Sequence, residues 1–109
     1  MTQSAISIKP SLAENTLTTI ARSLVSLGQY NNTADAIKDM ALTQIDAKIT
    51  RYQEKIQQFE NKYRINFDDF TQQLKNQATI ADEDEWFEWE AALSMLKAWQ
   101  KVRGAIQSC

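Results

Sequence analysis

The fold turns on the stretch TADAIKDMALTQIDAKITRYQEKIQQFENKY, Thr33 to Tyr63. It has no Gly and no Pro, and its Ala, Lys, Gln and Glu lose little side-chain freedom in a helix, so it reads as one long helix. Its apolar residues Leu42, Ile45, Ile49, Tyr52, Ile56, Phe59 and Tyr63 are spaced 3, 4, 3, 4, 3, 4, a heptad seam over three repeats. Most other positions are polar. So narrow a stripe needs a second helix to cover it, from the same chain or from another copy. Leu42, Ile45, Ile49, Tyr52 and Ile56 are therefore candidate dimerisation residues.

Upstream, Ser11-Leu12-Ala13-Glu14 has the form of a capping box, which predicts a helix from about Leu12. Leu17, Ile20, Ala21, Leu24 and Val25 share one face of it, and Gly28 fits its stop. Asn32 or Thr33 caps the long helix. Before all this, Ala5-Ile6-Ser7-Ile8-Lys9 alternates up to Pro10, which predicts a short strand with Ile6 and Ile8 on one face. A lone strand must pair, most simply with its own copy, so Ile6 and Ile8 join the dimerisation set. Downstream, Asn66 caps a short helix, Phe67 to Lys75, with Phe67, Phe70 and Leu74 on one face. Asp82 then opens a last helix carrying Trp86, Trp89, Leu93, Leu96, Trp99 and Val102 to about Gly104. The expected fold is mainly α: a short N-terminal strand, a helix, the long heptad helix and two further helices.

Composition narrows the chemistry. At 109 residues with 43% hydrophobic and 24% charged residues, the chain has the make-up of one ordinary soluble domain. It contains no His, and its one Cys is Cys109. That excludes Cys/His zinc sites and Ser-His-Asp triads, and it suggests a reducing, cytoplasmic setting. Gly28 and Gly104 stand alone, so there is no glycine-rich phosphate loop. No apolar run approaches the ~20 residues of a membrane span. Charge is uneven: residues 1–63 carry 7 basic and 6 acidic groups, and residues 64–109 carry 5 basic and 8 acidic, six of those acids between Asp82 and Glu90. A near-neutral front and an acidic back point to two tasks.

The words LVSLGQYNNTADAIKDMAL, with the strand before them, resemble ribbon-helix-helix antitoxins of the ParD and CopG type over residues 5–50. Val25, Gly28, Tyr30, Asn32, Thr33, Ile37 and Asp39 carry the likeness. It implies a ribbon-helix-helix-like front end in a dimer. In that family the outward ribbon face reads the major groove and the start of the second helix holds a phosphate. Carried over, the implied DNA contacts are Ser7, Lys9, Asn32 and Thr33. Met40 stands where the pattern has Ala, and Lys9 is the one cation of the ribbon, so DNA affinity is expected to be weak with a shallow salt dependence. The implied division is a ribbon-helix-helix-like dimerisation and DNA-binding region at 1–50, a coiled-coil extension at 51–63 and a helical partner-binding region at 64–109.

Trp86-Phe87-Glu88-Trp89 puts three aromatics on more than one side of the last helix, among acids. Trp86, Trp89 and Trp99 can be core residues packed on Phe59, Phe67 and Phe70. Alternatively Trp86, Phe87 and Trp89 with Glu85 and Glu88 bind a partner, since aromatics among charges make interface anchors. The acidic run can be a solvated helix start, a divalent-metal site or a mimic of nucleic acid. Glu85 and Glu88 form one E-x-x-E pair, but Glu54 and Glu60 have the wrong spacing for its mate, so no metal, cofactor or catalytic residue is assigned. The expected function is that of an antitoxin-like dimer: it neutralises a small cognate toxin, expected to be a ribonuclease, and weakly binds operator DNA. The alternatives are a small all-helical enzyme of nucleotide metabolism and a structural dimeric adaptor.

Overall fold

The computed structural model describes residues 11–77 and 79–109, which form four helices: α1 Leu12–Ser26, α2 Thr33–Tyr63, α3 Phe67–Gln77 and α4 Ile80–Gln107. The mainly helical class holds, but there is no strand among the described residues. The expected strand, with Ile6, Ser7, Ile8 and Lys9, lies outside them. The ribbon-helix-helix front end is overturned. Among the described residues every element is a helix, and none is a strand that could form the ribbon.

Local chemistry sets the helix ends. The Glu14 backbone N–H donates to Ser11 Oγ at 3.1 Å and the Ser11 N–H to Glu14 Oε2 at 3.2 Å, a complete capping box. At the other end of α1, Gly28 takes φ 81°. Its N–H reaches the Val25 carbonyl at 2.9 Å while that of Gln29 reaches Leu24 at 3.1 Å, the paired bonds of a Schellman stop. Asn32 caps α2 and Asn66 caps α3, each accepting a backbone N–H at 2.8 Å, from Asp35 and Asp69. Arg64, at φ 62°, turns the chain out of α2. A non-glycine residue there costs on the order of 1 kcal/mol, which the packing on either side must offset. Thr79 caps α4, its hydroxyl accepting from the Asp82 N–H at 3.1 Å.

The chain divides into two compact units, Met1–Leu42 and Thr43–Cys109. In the first, the buried residues are small, Ala21 on α1 and Ala36 on α2. Much of α1's apolar surface stays open, with Leu12 85% and Ile20 45% exposed.

The second unit is an antiparallel helical hairpin with α3 packed at its closed end. Tyr63 donates to Glu85, Phe59 stacks on Trp89 and Asp46 pairs with Arg103, so positions rise along α2 as they fall along α4. The same register sets Ile56 level with Ala92, Tyr52 with Leu96, Ile49 with Trp99 and Ile45 with Arg103. On α4 these positions repeat at 4, 3, 4, 3, 4, and each is buried or half-buried. Two heptad seams thus close on each other inside one chain. This corrects the assignment of Ile45, Ile49, Tyr52 and Ile56 to a dimer interface, because the chain's own last helix covers them. Leu42, also half-buried, belongs to the first unit.

Candidate functional site

The closed end of the hairpin holds the core. Trp89 is fully buried, with Phe59, Phe70 and Phe67 at ring-centre distances of 5.4, 5.3 and 5.4 Å and Tyr63 at 6.2 Å. Ile56, Ile65, Leu74, Trp86 and Leu93 pack round this cluster. Trp89 therefore offers no surface to a partner and leaves the candidate binding set. It lies on the seam because it follows Glu85 by four residues and precedes Ala92 by three.

Glu85 is also committed inward. It accepts from Lys62 Nζ at 2.5 and 2.9 Å and from the Tyr63 hydroxyl at 2.5 Å. The ammonium, then the phenol, hold its carboxyl below the ordinary range, while burial and the facing carboxylate push the Tyr63 phenol well above its own. A lowered carboxyl pKa contributes stability above the unfolded value of about 4.3 and loses it as pH falls through the folded value. Replacing Glu85 with Gln is expected to lower the melting temperature slightly at neutral pH and to flatten the decline in stability below about pH 4.3. The Lys62 side chain is 58% exposed and that of Glu85 24%, so screening keeps the ion pair to under about 1 kcal/mol. A melting temperature that falls as steeply with acid in the variant as in the parent would assign the decline to other carboxylates.

One step round α4 the surface opens. The Trp86 indole N–H donates to Thr71 Oγ1 at 2.8 Å, and its ring packs on Phe67 and edge-on to Phe87, 5.5 and 5.1 Å away. That bond pins one wall of a largely apolar cleft of about 400 Å³ between α3 and α4, lined by Thr71, Leu74, Lys75, Glu83, Trp86 and Phe87. Phe87 is 63% exposed. Glu88 is exposed beside it, as are Glu83 and Asp84. Of the five residues expected to bind a partner, the structure places Trp86 and Phe87 at the cleft and Glu88 on nearby surface, and it turns Glu85 and Trp89 inward. Thr71, Leu74 and Lys75 were not legible as site residues. Their helix carried only an apolar face, with no signal that its edge would meet Trp86.

Two of the four residues of the DNA-binding set are described. Ser7 and Lys9 lie outside the described residues. Asn32 spends its side chain on its own helix, its Oδ1 capping the Asp35 N–H and its Nδ2 donating to Asp35 Oδ2 at 3.2 Å. The Asp35 carboxylate thus lies beside the helix start where a phosphate would have to bind. Half-buried Thr33 is next to it. Among the described residues no group of three or more His, Cys, Asp or Glu side chains could hold a metal ion, and no helix is long and apolar enough to cross a membrane. Comparison with family models, curated proteins and solved structures gives no match to this chain.

Proposed function

We propose that this chain is a protein-binding module without catalytic chemistry, and that the cleft between α3 and α4 is its binding site. The observation that carries this is Phe87: a large apolar ring left mostly in water, at the mouth of an apolar cleft. Exposed aromatics at the edge of a preformed hollow are the residues from which interfaces draw most of their affinity. Glu83, Asp84 and Glu88 are exposed near it, so the partner is a basic protein, steered by charge and anchored by an apolar side chain in the cleft. Neutralising a small basic toxin, as antitoxins do, is the function of this kind that fits the chain. A role in DNA binding is not part of this reading, since the Asn32 side chain is engaged with Asp35 at its own helix start. The enzyme alternative loses its best carboxylate, since Glu85 is held by Lys62 and Tyr63.

The test asks whether a gene adjoining this one encodes a small basic protein and, by calorimetric titration, whether this chain binds that protein. Phe87→Ala is expected to cost about 2 kcal/mol in binding, with an unchanged melting temperature because the ring is not part of the core. Equal affinities for parent and variant, or no binding by the parent, would remove the cleft as the site.

A further inference from the structure

α4 carries a second apolar stripe that the hairpin leaves unused. Ala91, Met95, Ala98, Val102 and Ala105 recur at 4, 3, 4, 3, and all five are exposed. At 3.6 residues per turn they fall within about 80° of arc, centred roughly 120° round the helix from the seam. No polar residue interrupts the stripe between Ala91 and Ala105. The helix is also polarised along its length: its six acids lie between Asp82 and Glu90, and its three bases between Lys97 and Arg103.

We propose that a second copy of this chain covers the stripe, with α4 packed antiparallel on α4 about a two-fold axis near Leu96 and Lys97. Charge selects both the occupant and the direction. Antiparallel pairing brings Glu90 of each helix toward Lys101 of the other, whereas parallel pairing would set like on like. Shape agrees. The register centred between Leu96 and Lys97 sets Met95 level with Ala98 of the second copy and Val102 level with its Ala91, so each large side chain faces an alanine. By symmetry each contact occurs twice. Glu90 and Lys101 flank the stripe on one side, about 20° apart round the helix, and the same register brings each to within two residues of the level of its opposite charge on the other copy. Phe87 lies one turn before Ala91 on this same face, but Glu90, Ala98 and Lys101, where the pair is tested, do not line the cleft.

Sedimentation of the full chain tests it. The parent is expected to be a dimer at micromolar concentration and to dissociate more readily as salt is raised. Ala98→Glu sets two carboxylates near the axis and is expected to raise Kd by about 100-fold or more. Its helical circular dichroism should be unchanged, since Ala98 is exposed. Glu90→Lys and Lys101→Glu should each weaken the dimer by about tenfold, and the double charge swap should recover it. A parent that is monomeric at about 100 µM, or a dimer that Ala98→Glu leaves intact, overturns the proposal. A double swap no tighter than the single variants overturns the antiparallel arrangement.

Discussion

Trp89→Ala is expected to lower the stability of the second unit by about 3–5 kcal/mol, the cost of emptying a large aromatic site in a packed core. Trp89 is fully buried and meets Phe59 from α2, Phe67 and Phe70 from α3, and Tyr63 at the end of α2. One side chain therefore joins three helices, and its loss removes contacts that no neighbour can replace. Since a domain's whole stability is only about 5–15 kcal/mol, the variant should unfold at a much lower temperature than the parent. Trp89→Phe makes the control. The Trp89 indole N–H is buried without an acceptor, so Phe gives up volume but no hydrogen bond, and the loss should be closer to 1–2 kcal/mol. Urea unfolding followed by circular dichroism measures both. The contrast with Phe87, two residues away, is the sharper point: the Phe87 variant should keep its stability and lose affinity. A Trp89→Ala protein that unfolds at the parent's urea midpoint would place this indole outside the core.

Much of this arrangement was legible in the chain. The seam residues from Leu42 to Tyr63 are all buried or half-buried. Ser11, Gly28, Asn32 and Asn66 end or begin helices as their side chains, or lack of one, require. The bounds of α3 and α4 ran longer than expected, to Gln77 and from Ile80 through Gly104 to Gln107. Thr79 supplies a cap upstream of the acids, and a lone exposed glycine does not break a helix already held along its length. The partner of the seam was misjudged. A heptad pattern says that a helix must be covered, but not by which one. The matching seam on α4 is hard to see because its two outermost members in the second unit, Glu85 and Arg103, are charged. Each proves to be paired with α2, Glu85 with Lys62 and Arg103 with Asp46. Of the proposed binding site, the aromatic pair Trp86 and Phe87 was visible as an excess of apolar residues over faces. The cleft was not, because it exists only where α3 turns back against α4.

Ile45→Lys, at the far end of the hairpin from the aromatic cluster, is expected to cost about 3–5 kcal/mol, the range for leaving a charge without a partner in a buried position. Ile45 is 4% exposed, so an ammonium there loses its water. The hairpin register sets it level with Arg103, a like charge, and the nearest carboxylate, Asp46, is already paired with that guanidinium at 2.6 Å. The variant also separates two ways of covering the seam. Were it closed by a second copy, a lysine would dissociate the copies and leave folded monomers whose stability depended on protein concentration. Closed by α4 of the same chain, the lysine opens the hairpin itself. The loss should then appear as a lower urea midpoint in each chain, with helical signal falling where Asp46 and Arg103 part. Because Ala91 to Ala105 point away from the seam, chains that remain folded should keep the parent's tendency to self-associate. A folded Ile45→Lys monomer with the parent's urea midpoint would return this stripe to the interface between copies.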